Sequence, residues 1–88
     1  MQDSAIDFSK NFLKQFRKLP RSQQNRFYER LTIFRTNPFD SRLRNHALHG
    51  KYTGYHSIDI AGDLRALYRK NGDRVVIFAF IGSHSQLY

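Results

Sequence analysis

The sequence contains no cysteine and no long apolar run, and each absence narrows the kind of protein to consider. Without cysteine the chain can form neither a disulfide framework nor a thiolate metal site, which fits a reducing compartment. The longest apolar run, residues 75–81, has the length of a strand and falls well short of the ~20 residues that cross a bilayer. No secretory leader is evident after Met1. We therefore expect a cytoplasmic protein without membrane contact.

Acidic residues are also scarce, since seven Asp and Glu stand against fifteen Lys and Arg for a formal net charge of +8. Residues 10–35 alone hold eight basic residues and a single acid, Glu29. The positive electrostatic field of such a cluster attracts polyanions and speeds their encounter with the protein. We expect RNA or ribosome binding through Lys10, Lys14, Arg17, Lys18, Arg21, Arg26, Arg30 and Lys51. The alternative is a solvated basic face that only keeps the protein soluble.

The first half of this 88-residue chain carries the pattern of two helices, within what we expect to be one domain, residues 1–88. Ser9 is a candidate N-cap for the first helix, and Pro20 ends it and opens the second. Asn37-Pro38 terminates the second helix. Apolar residues recur at helical spacing at Phe12, Leu13, Phe16, Leu19, Phe27, Leu31 and Phe34. The pattern predicts a helical hairpin with an aromatic inner face and a basic outer face.

The second half has the pattern of strands, at residues 55–60, 63–70 and 74–82, and residues 4–8 could add a short first strand. Residues 38–54 lack any period. We therefore predict an α+β fold, with the helical hairpin packed on one face of a small, three- to four-stranded antiparallel sheet.

Two glycines suggest the turns that set the register of this sheet. Asn71-Gly72 predicts a two-residue hairpin turn that places Arg65 opposite Phe78. Gly62 suits the left-handed position of a three-residue loop, residues 60–62, that would pair Asp59 with Asp63. The predicted helix-facing residues are Leu64, Ala66, Tyr68, Val75, Ile77, Ala79 and Ile81. The predicted opposite face carries Ser57, Asp59, Asp63, Arg65, Phe78, Phe80, Gly82 and His84.

This opposite face collects two carboxylates, an arginine and a histidine. Histidine is the usual general acid or base near neutral pH, and His46 in a loop and His84 after a strand occupy positions where catalytic groups are often mounted. An ordinary surface salt-bridge cluster is the competing interpretation. His46 and His49 are spaced like metal ligands, but no cysteine completes a site, so we expect neither a metal nor a cofactor.

Three segments of the chain resemble one family. Residues 43–55, LRNHALHGKYTGY, are similar to the HxLxGxxxGY segment of YafQ-type toxins. Residues 63–68, DLRALY, look like a strand shared across the RelE/ParE toxin superfamily, and the terminus 82–88, GSHSQLY, is similar to the YafQ-type ending GTHxxLF. The chain thus resembles the YafQ-type mRNA interferase toxins over nearly its whole length.

The resemblance implies a toxin of a type II toxin–antitoxin system, an endoribonuclease that enters the ribosomal A site and cleaves mRNA without a metal, the ribose 2′-OH attacking the adjacent phosphate. It implies catalytic roles for His46, Asp63, His84 and Tyr88, and Arg65 matches an arginine of RelE-type members. Asp59 replaces a further histidine of some members and is expected to orient a histidine. The assignment of the general base stays open between His46 and Asp63, with His84 as acid and Arg65 as phosphate clamp.

Two other functions remain as alternatives. A ParE-like member would inhibit DNA gyrase without cutting, although such members generally lack the paired histidines. A non-enzymatic RNA- or DNA-binding module would also carry the basic surface, but aromatic stacking residues would then line an open sheet without clustered acid–base groups. The partners implied by the resemblance are an antitoxin, the ribosome and its mRNA, with one toxin chain in a toxin–antitoxin hetero-oligomer. We expect the antitoxin to cover Leu67, Phe78 and Phe80.

Overall fold

The computed structural model describes residues 5–88 of the chain. Its elements, in chain order, are β1 (Ala5–Phe8), α1 (Lys10–Arg17), α2 (Arg21–Thr36), β2 (His46–Ala47), β3 (His56–Ala61), β4 (Leu64–Asn71), β5 (Val75–Ser83) and α3 (His84–Leu87). The α+β prediction is confirmed: α1 and α2 cover one face of a sheet with strand order β1-β5-β4-β3-β2. No helix among these residues is long and apolar enough to cross a membrane.

The two long helices begin and end where the local sequence predicts. The Ser9 side chain caps α1 by accepting a hydrogen bond from the Phe12 N–H at 3.0 Å, and its hydroxyl donates to the Ala79 carbonyl at 2.7 Å. One residue therefore starts the helix and ties it to β5. Pro20, which precedes α2, and Asn37, which follows it, separate the helix from its neighbours.

Aromatic rings form the centre of the core. The Phe27 ring of α2 lies 5.2 Å from Phe12 of α1 and 5.6 Å from Phe78 of β5, centroid to centroid. Phe34 packs edge-on against Tyr68 at 5.0 Å. Such pairs add about 0.5–1.5 kcal/mol each to the area they bury. A few large side chains thus supply the stability that a chain of this length needs.

The sheet is larger and more mixed than the sequence predicts. It has five strands rather than three or four, and β1 runs parallel to β5, pairing Ala5 with Val75 through Phe8 with Phe78. The predicted first strand is confirmed from Ala5 onward, while its residue 4 lies outside the described residues. The second addition is β2, two residues long, which pairs His46 with Ser57. It lies in the segment where no period was visible.

Both predicted turns are wrong in length, although both glycines have the expected positive φ. The β3–β4 turn consists of Gly62 and Asp63, with Ala61 opposite Leu64. The β4–β5 turn has three residues, 72–74, and pairs Asn71 with Val75. The β3–β4 register also shifts between Asp59 and Ala61, so Asp59 lies opposite Arg65 rather than Asp63. In the β4–β5 ladder, which has a shift of its own, Arg65 lies opposite Gly82 rather than Phe78.

A bulge in β5 changes which side chains reach the helices. Tyr68 pairs with Phe78 and Leu67 pairs with Phe80, so Ala79 has no opposite residue. The extra residue shifts the alternation, and the face under α1 and α2, the helix-covered face, is formed by Ile58, Ile60, Leu64, Ala66, Tyr68, Val76, Phe78 and Ile81. Val75, Ile77 and Ala79 were wrongly predicted on this face, and Phe78 was wrongly predicted on the other. The opposite surface, the second face, carries Ser57, Asp59, Arg65, Leu67, Phe80 and Gly82.

Candidate active site

An ion pair between Asp59 and Arg65 lies at the middle of the second face. The β3–β4 register places the two residues directly opposite each other, and Arg65 Nε lies 2.9 Å from Asp59 Oδ1 in a salt bridge. Their side chains are only 17% and 20% exposed, and Arg65 Nη1 also donates to the Gly62 carbonyl at 2.9 Å. Within residues 5–88, Arg65 Nη2 has no hydrogen-bond partner, so it can face an anion.

His46 lies on the β2 side of this pair. Because His46 pairs with Ser57, both project from the second face, and His46 is exposed. Its Nδ1 atom is 2.9 Å from the carbonyl oxygen of Arg44. The Nε2 atom is thereby left to face solvent or a substrate.

Arg44 is a member of the cluster that the sequence analysis missed. Its Nε atom lies 3.5 Å from Asp59 Oδ2, so Asp59 sits between two guanidinium groups. Arg44 has a φ of 49°, the one positive φ outside glycine among residues 5–88. No pattern in the sequence signals this conformation, and Arg44 resembled one more surface cation.

His84 and Tyr88 lie on the β5 side of the pair. Ser83 caps the short α3 with a capping box formed with Gln86, and His84 is its first residue. A Cβ atom at Gly82 would lie 3.0 Å from Gln86 Oε1, which accepts the Ser83 N–H in the capping box, so a larger residue there would press on that side chain. The rings of His84 and Tyr88 are 4.7 Å apart, and Tyr88 is 46% exposed. The terminal turn thus presents a histidine and an aromatic ring together.

Asp63 does not face Asp59, because it lies in the exposed turn between β3 and β4. Its carbonyl oxygen accepts a hydrogen bond from the His84 N–H at 3.1 Å. The predicted carboxylate pair is therefore wrong, but Asp63 remains beside His84 through the backbone.

The candidate site accordingly consists of a central Asp59–Arg65 pair with one histidine on each side. Strand order places β3 and β4 between β2 and β5, which separates the two outer backbones by about 14 Å at the usual strand spacing. Arg65 on β4 therefore lies between β2, which carries His46, and β5, which leads directly into His84. This juxtaposition follows from topology, since the histidines are 38 residues apart in the sequence.

The apolar side chains that were expected to face an antitoxin are largely buried within this chain. Leu67 and Phe78 are both 0% exposed, so neither can contact a partner in this fold. Phe78 packs beneath the helices, and Leu67 pairs with Phe80, whose ring lies 5.8 Å from Tyr52 and 5.9 Å from Tyr55. Phe80 keeps partial exposure. Residues 50–55 therefore cover this end of the second face through Tyr52 and Tyr55.

Most of the expected RNA-binding cations are exposed, on the opposite side of the molecule from the site. They are Lys10, Lys14, Arg17, Lys18, Arg21 and Arg26. Arg30 is an exception, since its Nε donates to the Ile60 carbonyl at 3.3 Å and its Nη1 to the Arg42 carbonyl at 3.4 Å. Lys51 lies on the site side, its Nζ 5.3 Å from the centre of the Tyr52 ring. Nowhere in residues 5–88 do three His, Asp or Glu side chains cluster closely enough to hold a metal ion.

Solved structures share this fold. YafQ from E. coli strain BL21(DE3) is 20% identical over 97% of this chain and 98% of that chain, with a TM-score of 0.81. A copper-bound mutant toxin from Helicobacter pylori is 28% identical over 97% of this chain and 99% of that chain, with a TM-score of 0.72. A chain of the archaeal RelE–RelB complex from Pyrococcus horikoshii OT3 is 22% identical over 96% and 98%, with a TM-score of 0.75. The fold is therefore RelE-like.

The curated proteins contain no significant match to this sequence. A family model does match it, over residues 4–88, and describes a bacterial toxin of type II toxin–antitoxin systems, YafQ. That match covers nearly the whole chain, including the strands and turns that carry Asp59, Arg65 and both histidines. The chain belongs to the YafQ family of type II toxin–antitoxin toxins.

Proposed function

We propose that this toxin is a ribosome-dependent endoribonuclease that cleaves mRNA in the A site without a metal. The observation that supports it best is the Asp59–Arg65 pair flanked by His46 and His84 on a surface apart from the basic helices. A proton acceptor, a proton donor and a cation are what cleavage by the neighbouring ribose hydroxyl needs.

The proposed reaction is an internal transfer of the phosphoryl group. The 2′-OH gives its proton to a base, its oxygen forms a bond to phosphorus, and the bond from phosphorus to the 5′-oxygen breaks. The leaving oxygen takes a proton from an acid. The products are an RNA end with a 2′,3′-cyclic phosphate and a second end with a 5′-hydroxyl, so atoms and protons balance without a further reactant.

The residues divide among these roles by position. His46 or Asp63 is the base, and His84 is the acid. Arg65 binds the phosphate, since Nη2 is available and a guanidinium matches the geometry of phosphate oxygens. Asp59 holds Arg65 in place, and Tyr88 supports His84 and stacks on a nucleobase or contacts the phosphate. No step in this scheme requires a cofactor.

The basic surface of α1 and α2 docks the toxin in this proposal. Its exposed cations lie on the helix side, so they contact rRNA phosphates while the second face meets the mRNA. Toxins of type II systems are inhibited by a protein antitoxin, and we propose one as the partner of a single toxin chain in a hetero-oligomer. The cytoplasm is where the ribosomal target is found.

The direct test is to add purified toxin to translating ribosomes and to map the mRNA ends. We expect A-site cuts that leave cyclic phosphate and 5′-hydroxyl ends, with naked mRNA cut far more slowly. Ribosome binding without cuts would indicate an RNA-binding module, and inhibition of gyrase supercoiling without cuts would indicate a ParE-like toxin. Either result would overturn the proposal.

A chelation experiment tests the absence of a metal from the mechanism. The copper-bound mutant toxin from Helicobacter pylori makes this a meaningful control for a chain with the same fold. We expect toxin dialysed against EDTA to cleave at the original rate once Mg²⁺ is restored for the ribosomes. Activity that returned only with copper or zinc would contradict the metal-free mechanism.

A further inference from the structure

Arg44 touches the candidate site in two ways, and each contact concerns a different catalytic role. Its backbone carbonyl lies against His46 Nδ1, and its guanidinium lies against Asp59, the residue that holds Arg65. One residue therefore links the candidate base to the candidate phosphate clamp.

The backbone at Arg44 is held in an unusual conformation from both sides. Leu43 before it is fully buried, and the Asn45 amide after it donates to the Tyr68 hydroxyl at 2.7 Å and to the Pro38 carbonyl at 2.9 Å. Between these anchors Arg44 adopts a φ of 49°, which residues other than glycine seldom adopt. This conformation accompanies a carbonyl directed at the His46 ring. Conformations of this kind tend to persist at functional sites.

The carbonyl contact decides which nitrogen of His46 carries the proton. A carbonyl oxygen can only accept a hydrogen bond, so Nδ1 must be the donor. In the neutral ring, Nε2 then has the free lone pair. His46 is thereby in the form that accepts a proton from a 2′-OH, which favours His46 over Asp63 as the base.

The contact between the Arg44 guanidinium and Asp59 adds positive charge to the site but contributes little to the stability of the fold. Arg44 is 77% exposed at its side chain and lies 3.5 Å from Asp59, so the ion pair is weak as a stabilising contact. Two guanidinium groups on one carboxylate leave a net positive charge beside the position expected for the phosphate.

We propose that Arg44 is a positioning residue that holds His46 as the general base through its backbone and steadies the Asp59–Arg65 clamp through its side chain. This inference rests on the proposed ribonuclease function and assigns its base. Arg44 itself takes no proton in this scheme.

Two substitutions separate the backbone role from the side-chain role. Arg44→Gly removes the guanidinium but adopts a positive φ easily, whereas Arg44→Val removes it and cannot adopt that φ without strain. Arg42→Ala is the matched control, because Arg42 is an exposed cation two residues away whose ion pair is with Asp40. Each variant is measured by nitrogen-15 NMR of the His46 ring, single-turnover cleavage on ribosomes and thermal unfolding.

We expect the native protein and Arg44→Gly to show the Nδ1–H form of neutral His46, and Arg44→Val to lose it. Cleavage should fall about tenfold in Arg44→Gly and about 100-fold in Arg44→Val, since small misplacements of a catalytic group can cost that much. Arg42→Ala should cleave like the native protein. If Arg44→Val melts below the assay temperature, two measurements still test the proposal. They are the tautomer of His46 in the native protein and the cleavage rate of Arg44→Gly.

An Nε2–H form of His46 in the native protein would overturn the backbone role. Equal cleavage by Arg44→Gly and Arg42→Ala would overturn the side-chain role. A native toxin that never cuts mRNA would instead refute the proposed function, and that outcome is distinguishable because it appears before any variant is compared.

Discussion

The two faces of the sheet are built from the same three strands, yet they are used in opposite ways. The helix-covered face is filled by aromatic and aliphatic side chains that are almost wholly buried, such as Phe78 at 0% exposure. The second face is partly covered, by Tyr52 and Tyr55 over Phe80, and it presents the Asp59–Arg65 pair near its middle. Alternation along a strand therefore gives one face to the core and leaves the other for the proposed chemistry.

It follows that residues on the second face can be substituted with little loss of stability. Groups on the second face contact few core residues, whereas Phe78 touches both helices and the neighbouring strand. Substitutions on the two faces should separate activity from stability.

The largest effect should come from removing both histidines. In a His46→Ala, His84→Ala double variant, cleavage loses both proton-transfer groups, each worth ~10²–10⁴-fold. The fold should survive, because both side chains are exposed. Mapped mRNA ends and thermal unfolding are the measurements, and each single variant should fall between the double variant and the native toxin. A double variant that still arrested growth fully would rule out the acid–base role.

The second effect should come from the helix-covered face. Phe78→Ala removes a ring that packs against Phe12, Phe27 and Phe34, and we expect it to lower the free energy of unfolding by about 3–5 kcal/mol. The fraction of molecules that stays folded should cleave at the native rate. Phe80→Ala, on the second face, is the matched control and should destabilise less, since Phe80 retains exposure. Equal destabilisation would mean that the two faces contribute alike to the core.

The sequence predicted the parts of this fold that depend on neighbouring residues. Ser9, Pro20 and Asn37 punctuate the helices, and their signals are local. The register was not predictable in the same way. Residues 75–81 are all apolar, so nothing in them reveals the extra residue at Ala79 or which aromatic ring faces the helices. The antiparallel prediction failed at β1, because its partner lies 70 residues along the chain.

The sequence predicted part of the candidate site and missed another part. His46, Arg65 and Asp59 share one face, His84 follows the end of β5, and the predicted orientation of Arg65 away from the helices is confirmed. Arg44 was missed because its role depends on a backbone conformation that tertiary contacts impose. The pairing of Asp59 with Asp63 failed because Asp63 lies in the turn itself and the β3–β4 register shifts between Asp59 and Ala61.

A third and smaller effect should come from the basic helices. Reversing Lys14, Arg17, Arg21 and Arg26 to Glu should weaken ribosome binding, and the slope of log affinity against log salt should fall by about 0.7–0.9 for each phosphate that the variant no longer neutralises. Cleavage by the bound toxin should change little, since these residues lie on the helix side. Binding to ribosomes at several salt concentrations measures the slope. An unchanged affinity and slope would reduce this surface to a solubilising one.

The smallest effect concerns His56, an ionisable residue at the edge of the helix-covered face. Its ring stacks on Tyr68 at 5.2 Å, and burial lowers the pKa of His56, with the charges of Lys70 and His46 lowering it further. The unfolded chain, with an ordinary histidine pKa of about 6.5, then binds a proton more readily than the folded chain. Stability should therefore fall as the pH drops below about 6.5. The fall should end once the pH is below the lowered pKa of His56 in the folded state.

Urea unfolding of the native toxin and of His56→Gln at pH 7 and pH 5 tests this expectation. The loss of stability between these pH values should be smaller in the variant, because glutamine takes up no proton. His49→Gln is the control, since His49 is exposed and should leave the loss unchanged. Asp40 does not affect this comparison. Hydrogen bonds from Arg42 hold the pKa of the Asp40 carboxyl at about 2, so its contribution to stability is lost only in acid stronger than that used here. An identical pH dependence in the native toxin and His56→Gln would show that protonation of His56 does not couple to folding.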